Sequence, residues 1–304
     1  MGEAAWKEVD WREHLRWVDV GGTPVNVCEV GEGDPLVLVH GHSGNWTNWL
    51  ANILPFAATR RVIAPDLPGF GRSPMPSWRI TIENYGRFLA DLLDALEIGP
   101  APVVGNSMGG FVSAELAVKD PERVQGLVLV AAAGLSTKYV GLSEDLLRRG
   151  WFRAFARAVN AYASIPDARL ETLVRRPRLR RAVLAQVVRH TDRLDPAMAA
   201  EMLRGSGRPA APYATDALVD YDIHEELSDV RVPTLIVWGD KDRVVGVEAA
   251  DEYRAAMPHA KFVMLEDTGH VPMIERPEEF NELLEEFLVE LETGRERVAS
   301  GVSR

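Results

Sequence analysis

The chain has 304 residues, 46% apolar and 26% charged, with a net charge of −11 at pH 7. That length suits one large α/β domain or two small ones, and the acidic balance argues against nucleic-acid binding by the chain as a whole. No apolar run approaches the ~18 residues of a membrane helix, and a single cysteine, Cys28, excludes an internal disulfide and a multi-cysteine metal site.

The first residues, Met1 to Glu8, are polar and acidic and lack the pattern of a signal peptide, so a soluble, cytoplasmic protein is expected. Trp17–Val20 and Val25–Val30 flank the turn dipeptide Gly21-Gly22 and read as an antiparallel hairpin, with Cys28 a small core residue of its second strand. Pro35–His40 is a short, fully apolar run bounded by Asp34 and Gly41, the mark of a strand buried on both faces. Val62–Pro65, Ala101–Val104 and Gly126–Ala131 repeat that signal. Thr81 to Ile98 places Tyr85, Phe88, Leu89, Leu92, Leu93 and Leu96 at helical spacing. Strand alternating with helix implies a mostly parallel, doubly wound sheet.

That rhythm stops near Gly134 and resumes only after Pro212. Between them lie helical runs broken at Pro166, Pro177, Pro196 and the cluster Gly205–Pro209, with an apolar stripe from Leu146, Leu147, Trp151, Phe152, Phe155 and Val159. From Gly141 to Ala210 there are fourteen arginines, no lysine and seven acidic residues, a local balance of +7 against −18 for the rest. Such asymmetry marks either arginine-coated helix faces in solvent or contact with anions or a membrane surface. Pro233–Trp238 and Lys261–Leu265 restore the strand pattern. Pro277 to about Leu291 predicts a final amphipathic helix, with the polar residues from Thr293 expected to fray.

Chemistry concentrates at the ends of these strands. Gly105-Asn106-Ser107-Met108-Gly109 follows a predicted strand and opens a predicted helix, the context of a nucleophile elbow. A serine hydroxyl needs a base, and His270, in the loop between the last strand and the last helix, falls at the same sheet edge. His14, His190, His224 and His259 sit in polar segments and are expected at the surface. The loop Gly239-Asp240-Lys241-Asp242-Arg243 offers two carboxylates to orient the imidazole, and spacing does not choose between Asp240 and Asp242. An oxyanion needs two donors: Met108 N–H follows the serine, and His42 N–H is the choice from the loop after Leu36–Val39. His40 and His42 lack a third ligand of fitting spacing, so no metal is expected.

Taken together, His40-Gly41, Asp66–Ser73, Gly105–Gly110, Gly239–Asp242 and Gly269-His270 resemble the α/β-hydrolase superfamily. The resemblance implies a catalytic Ser107, Asp242 and His270 in that chain order, with Asp242 rather than Asp240 as the third member. It also implies residues 1–134 and 214–304 as the hydrolase core, and 135–213 as a helical cap over the pocket. An elbow serine, where epoxide hydrolases and haloalkane dehalogenases carry aspartate, argues against both. Carboxylesterases and monoacylglycerol lipases show similar elbows and caps. So do the carbon–carbon bond hydrolases of aromatic degradation, although Ser43-Gly44-Asn45 and Val271 stand where those have a Gly-Pro-Gly-like stretch and a tryptophan. The expected activity is hydrolysis of a small-molecule carboxylic ester without cofactor or metal. Carbon–carbon hydrolysis of a vinylogous diketone acid is the alternative, followed by lactonase, amidase or cofactor-free haloperoxidase-type activity. A ligand-binding protein that retains the fold is the reading outside enzymes.

Overall fold

The computed structural model describes residues 5–134, 167–205 and 208–299. Eight strands form one sheet: β1 Leu15–Val20, β2 Thr23–Val30, β3 Asp34–Val39, β4 Arg60–Pro65, β5 Ala101–Asn106, β6 Val124–Val130, β7 Thr234–Gly239 and β8 Lys261–Leu265. Their order across the sheet is β1-β2-β4-β3-β5-β6-β7-β8. Only β2 runs against its neighbours, pairing antiparallel with both β1 and β4. The β1–β2 turn needs positive φ at both central positions. Gly21 (+57°) and Gly22 (+85°) supply it without a Cβ penalty.

Every residue of β5 and β7 is buried, as expected of strands covered on both faces. Alternation splits the apolar residues between two cores. Val37, Val39, Leu127 and Leu129 point to one, with Tyr85, Phe88, Phe111 and Tyr253. Leu36, Leu38, Val128 and Val130 point to the other, with Ile53, Phe56, Phe280 and Leu284. The covering helices are α1 Leu50–Ala57, α2 Ile82–Ala95 and α3 Met108–Lys119 in the first half of the chain.

Between β6 and β7 the described elements are all helical: α4 Asp167–Arg175, α5 Pro177–Leu184, α6 Pro196–Arg204, α7 Ala211–Asp220 and a short 3-10 helix, Glu226–Asp229. The prolines that break the helical pattern also start the next helices. Pro177, Pro196 and Pro212 occupy first-turn positions, where the missing N–H costs nothing. The apolar stripe from Leu146 to Val159 lies outside the described residues.

The chain closes with α8 Val247–Ala256, α9 Pro272–Glu275 and α10 Pro277–Ala299. Here the expectation of fraying from Thr293 is corrected, since α10 continues to Ala299. Arg295, Glu296, Arg297 and Ala299 are good helix formers and carry the helix past the weaker Thr293 and Gly294. The extension is also tied down, with Thr293 Oγ1 donating to Val289 O (2.9 Å) and Arg295 to Gln125 Oε1 (3.2 Å). Among the described residues no helix is long and apolar enough to cross a membrane.

Candidate active site

Four loops at the carboxyl ends of β3, β5, β7 and β8 meet at one edge of the sheet. Ser107 lies between β5 and α3 with φ +54° and ψ −119°, a conformation that L-residues rarely adopt. The turn is tight because β5 and α3 nearly touch. A Cβ on Gly105 would run into the Gly109 carbonyl, and one on Gly109 would run into the Val39 carbonyl of β3. The turn is held by Ser107 N–H to Val130 O (2.9 Å) and by Phe111 and Ala133 N–H to Ser107 O (both 3.1 Å). Ser107 keeps partial exposure while its neighbours Asn106 and Met108 are buried.

The β3 loop lies directly on this elbow. A Cβ on Gly41 would sit 3.1 Å from the Ser107 Cβ. Gly44 N–H donates to Gly41 O (3.0 Å), closing a turn that carries His42. The N–H groups of His42 and of Met108, the first residue of α3, have no acceptor among the described residues.

His40 does not face the site. It is buried, Nδ1–H donates to Gly41 O (2.8 Å) and Nε2 accepts from Leu67 N–H (2.9 Å), so it joins the β3 and β4 loops. Burial lowers its pKa against the opposing pull of Asp66. Asp66 is wholly buried as well. Its oxygens accept from Trp46 N–H (2.9 Å), Asn26 Nδ2 (2.8 Å) and Arg72 N–H (2.8 Å). The His42 ring contacts Ala211 O (2.9 Å) and Thr215 Oγ1 (3.0 Å) of α7 through Nε2, and Ser43 Oγ (2.9 Å) through Nδ1. Burial lowers its pKa too. Among the described residues no cluster of His, Cys, Asp and Glu could hold a metal ion.

His270 and Asp242 are brought together. Nδ1 of His270 lies 2.7 Å from Asp242 Oδ2, and both side chains are buried. The other Asp242 oxygen accepts from Val244 and Val245 N–H (2.8 and 3.0 Å), which fixes the carboxylate plane. Asp240 points elsewhere, to Lys241 Nζ (2.7 Å) and Thr268 N–H (3.2 Å). Cys28 is buried in β2, where desolvation pushes its thiol up to about 12.

Three connections escaped sequence reasoning. Asn106 Nδ2 donates to Val130 O (3.0 Å) and His270 O (3.3 Å), tying the elbow to the histidine loop. Glu275, raised in pKa by burial, accepts from Gly269 N–H (3.0 Å) and Arg189 N–H (2.7 Å). The segment after α5 clasps both loops: His270 N–H donates to Val187 O (2.9 Å) and Gln186 Nε2 to Arg243 O (2.8 Å). His190, expected at the surface, is instead half-buried. It pairs with Asp267 (2.5 Å), whose carboxyl is drawn down to about 2 by His190 and Arg189.

The strand order is that of a hydrolase fold, and the chain belongs to the α/β-hydrolase fold family, whose model matches residues 34–277. It is 33% identical, over 90% of its length, to the dihydrolipoyllysine-residue acetyltransferase component of the acetoin cleaving system of Pseudomonas putida, of which it spans 66%. It is 32% identical to the 2-hydroxy-6-oxo-2,4-heptadienoate hydrolase of Pseudomonas putida, covering 90% of this chain and 95% of that protein. Among solved structures it is similar to a thermophilic esterase from Thermogutta terrifontis. The TM-score is 0.70 and the identity 25%, covering 91% of this chain and 98% of that one.

Proposed function

We propose that the chain hydrolyses carboxylic esters through an acyl-enzyme, with Ser107 as nucleophile, His270 as general base and Asp242 orienting the imidazole. The observation that carries this reading is the 2.7 Å contact of Asp242 with His270 Nδ1, in a loop bonded through His270 O to Asn106, the neighbour of a serine held at φ +54°. With Nδ1–H committed to Asp242, Nε2 is left free to take the Ser107 proton. Ser107 Oγ then bonds to the acyl carbon, and the oxyanion faces the His42 and Met108 N–H groups. Collapse expels the alcohol, which takes its proton from His270. Water, deprotonated by His270, attacks the acyl-enzyme, and the acid leaves as Ser107 regains its proton. These steps require neither metal nor cofactor. Residues 135–213 act as a cap, supported by contacts of Val187 with His270 N–H and of Ala211 O with the His42 ring. The substrate is a small molecule and the site of action cytoplasmic.

Carbon–carbon hydrolysis of a vinylogous diketone acid is the second reading. It is favoured by the 32% identity that spans 95% of the heptadienoate hydrolase. Against it, Val271 and Ser43-Gly44-Asn45 depart from the residues expected at those positions. The test is turnover of p-nitrophenyl esters of graded chain length beside a ring-cleavage diketone acid. Efficient cleavage of the diketone acid with negligible ester turnover overturns the ester assignment. Binding without turnover of either class would leave a ligand-binding protein.

A further inference from the structure

We infer that the outer face of α4 and α5 is a docking surface for an anionic lipid bilayer. Helix α5 buries only Arg180 and Leu184. Its remaining residues face solvent, among them Arg178, Arg181, Leu179 (43% exposed) and Val183 (41% exposed). Arg169, Arg175 and Arg176 are exposed alongside, and Glu171 is the single acid between residues 169 and 184.

These five surface arginines (169, 175, 176, 178 and 181) make no side-chain ion pair among the described residues. Other described arginines do form ion pairs, as in Arg16–Glu29, Arg60–Glu292, Arg61–Glu29 and Arg189–Asp267. Buried Arg180 is also spoken for, donating to Val174 O (3.2 Å) and Asp192 O (3.3 Å). Unpaired arginines also occur singly elsewhere, but here five exposed ones lie within thirteen residues, on a chain whose net charge is −11.

The apolar residues select the partner. Leu179 and Val183 are four apart, so they lie on one side of α5 between the arginines. Two apolar side chains flanked by guanidinium groups match the headgroup boundary of a bilayer. The aliphatic groups reach toward the acyl chains and the guanidinium forks engage lipid phosphates. Nucleic acid would instead call for aromatic stacking platforms, and among the described residues this face has none. The acidic remainder does not forbid approach, because exposed charges farther than about 8 Å are largely screened at physiological salt.

The face also adjoins the catalytic edge, since the chain leaving α5 binds the Asp242 and His270 loops through Gln186, Val187 and Arg189. Resting on the ester-hydrolase reading, this placement names the substrate class as an ester partitioned into the lipid surface.

The experiment is co-sedimentation of the full chain with vesicles of phosphatidylglycerol and phosphatidylcholine, beside vesicles of phosphatidylcholine alone. Binding should require phosphatidylglycerol and weaken strongly between about 0.1 M and about 0.5 M salt. The combined variant Arg175→Gln, Arg176→Gln, Arg178→Gln, Arg181→Gln should bind at least about tenfold more weakly. Leu179→Asp with Val183→Asp should do the same, whereas Arg79→Gln with Arg87→Gln, on α2 and its approach, should not. Hydrolysis of a water-soluble ester by each variant at the wild-type rate verifies the fold. The inference is overturned if neutral vesicles bind equally, if neither variant set weakens binding, or if heparin is preferred and the Leu179/Val183 pair has no effect. Arginine-dependent vesicle binding by a chain that cleaves no ester leaves the docking surface standing and sinks the hydrolase reading. Ester turnover without vesicle binding does the reverse.

Discussion

Asp242 reaches His270 with one carboxylate oxygen (2.7 Å to Nδ1) and spends the other on the N–H groups of Val244 and Val245. That division holds the carboxylate rigid and leaves one acceptor to select the imidazole tautomer. Asp242→Asn would offer the ring either a donor amide or a rotated carbonyl, and kcat should fall by about 10⁴. Asp240→Asn should lose less than about tenfold, because its partners are Lys241 and the Thr268 N–H. Steady-state kinetics of the two variants on one ester decide the matter. Equal losses would mean the Asp242 contact is not the one that matters.

Ser107 combines the position proposed for the nucleophile with a strained backbone, φ +54° and ψ −119°. Ser107→Ala should lose about 10⁴ or more in kcat while keeping that strain. Ser107→Gly should be equally inactive yet more stable. Relief of about 1–3 kcal/mol of strain exceeds the roughly 0.5–1 kcal/mol that glycine adds to the unfolded chain's entropy. Denaturant melts of the three proteins test this. A glycine variant less stable than the alanine variant would show that the turn is not strained.

Glu275 spans two segments that lie 80 residues apart in sequence, accepting the N–H of Gly269 beside the histidine and that of Arg189 after α5. Glu275→Ala strands both donors and should cost about 2–4 kcal/mol of stability. Glu275→Gln keeps one acceptor and should cost less. If the carboxylate positions His270, the Gln variant should also lower kcat/KM and displace the acid limb of its pH profile. A variant that loses stability alone would assign Glu275 a purely structural role.

The sheet was legible because its strands are short apolar runs bounded by turn residues, and the tight turn at Ser107 because glycine is forced at Gly105 and Gly109 by backbone contact. Ser107, Asp242 and His270 could be found as motifs, whereas the sequence-distant links could not. Asn106, Glu275 and Val187 act through one or two hydrogen bonds to backbone atoms, which leave no periodicity and no spacing to read. Prolines between β6 and β7 marked breaks but not which side of each break was helical. The extent of α10 was missed because hydrophobic periodicity ends at Leu291 and Thr293-Gly294 reads as a stop, whereas the helix formers from Arg295 onward continue it.

The last prediction concerns pH. His40 and His42 are both held neutral by burial, with folded pKa values below the ordinary 6.5. Protonating His40 would put a hydrogen on Nε2 where Leu67 N–H already donates, so the folded chain resists that proton. Protonating His42 would cost it the Ser43 hydroxyl bond at Nδ1 if that hydroxyl is the donor. The unfolded chain has no such resistance and takes up protons as pH falls through 6.5. Stability from these two groups is therefore fully present above about pH 6.5 and is lost as pH falls toward their folded values. The slope is about 1.4 kcal/mol per pH unit for each histidine within that window. Urea melts of the wild type between pH 8 and pH 5, both ordinary working values for such a titration, should show this decline. His42→Gln should remove one contribution, and His40→Gln the other, each flattening the slope even where it lowers stability at pH 8. A wild-type slope that survives both substitutions would place the acid sensitivity elsewhere, with the His190–Asp267 pair the next group to test.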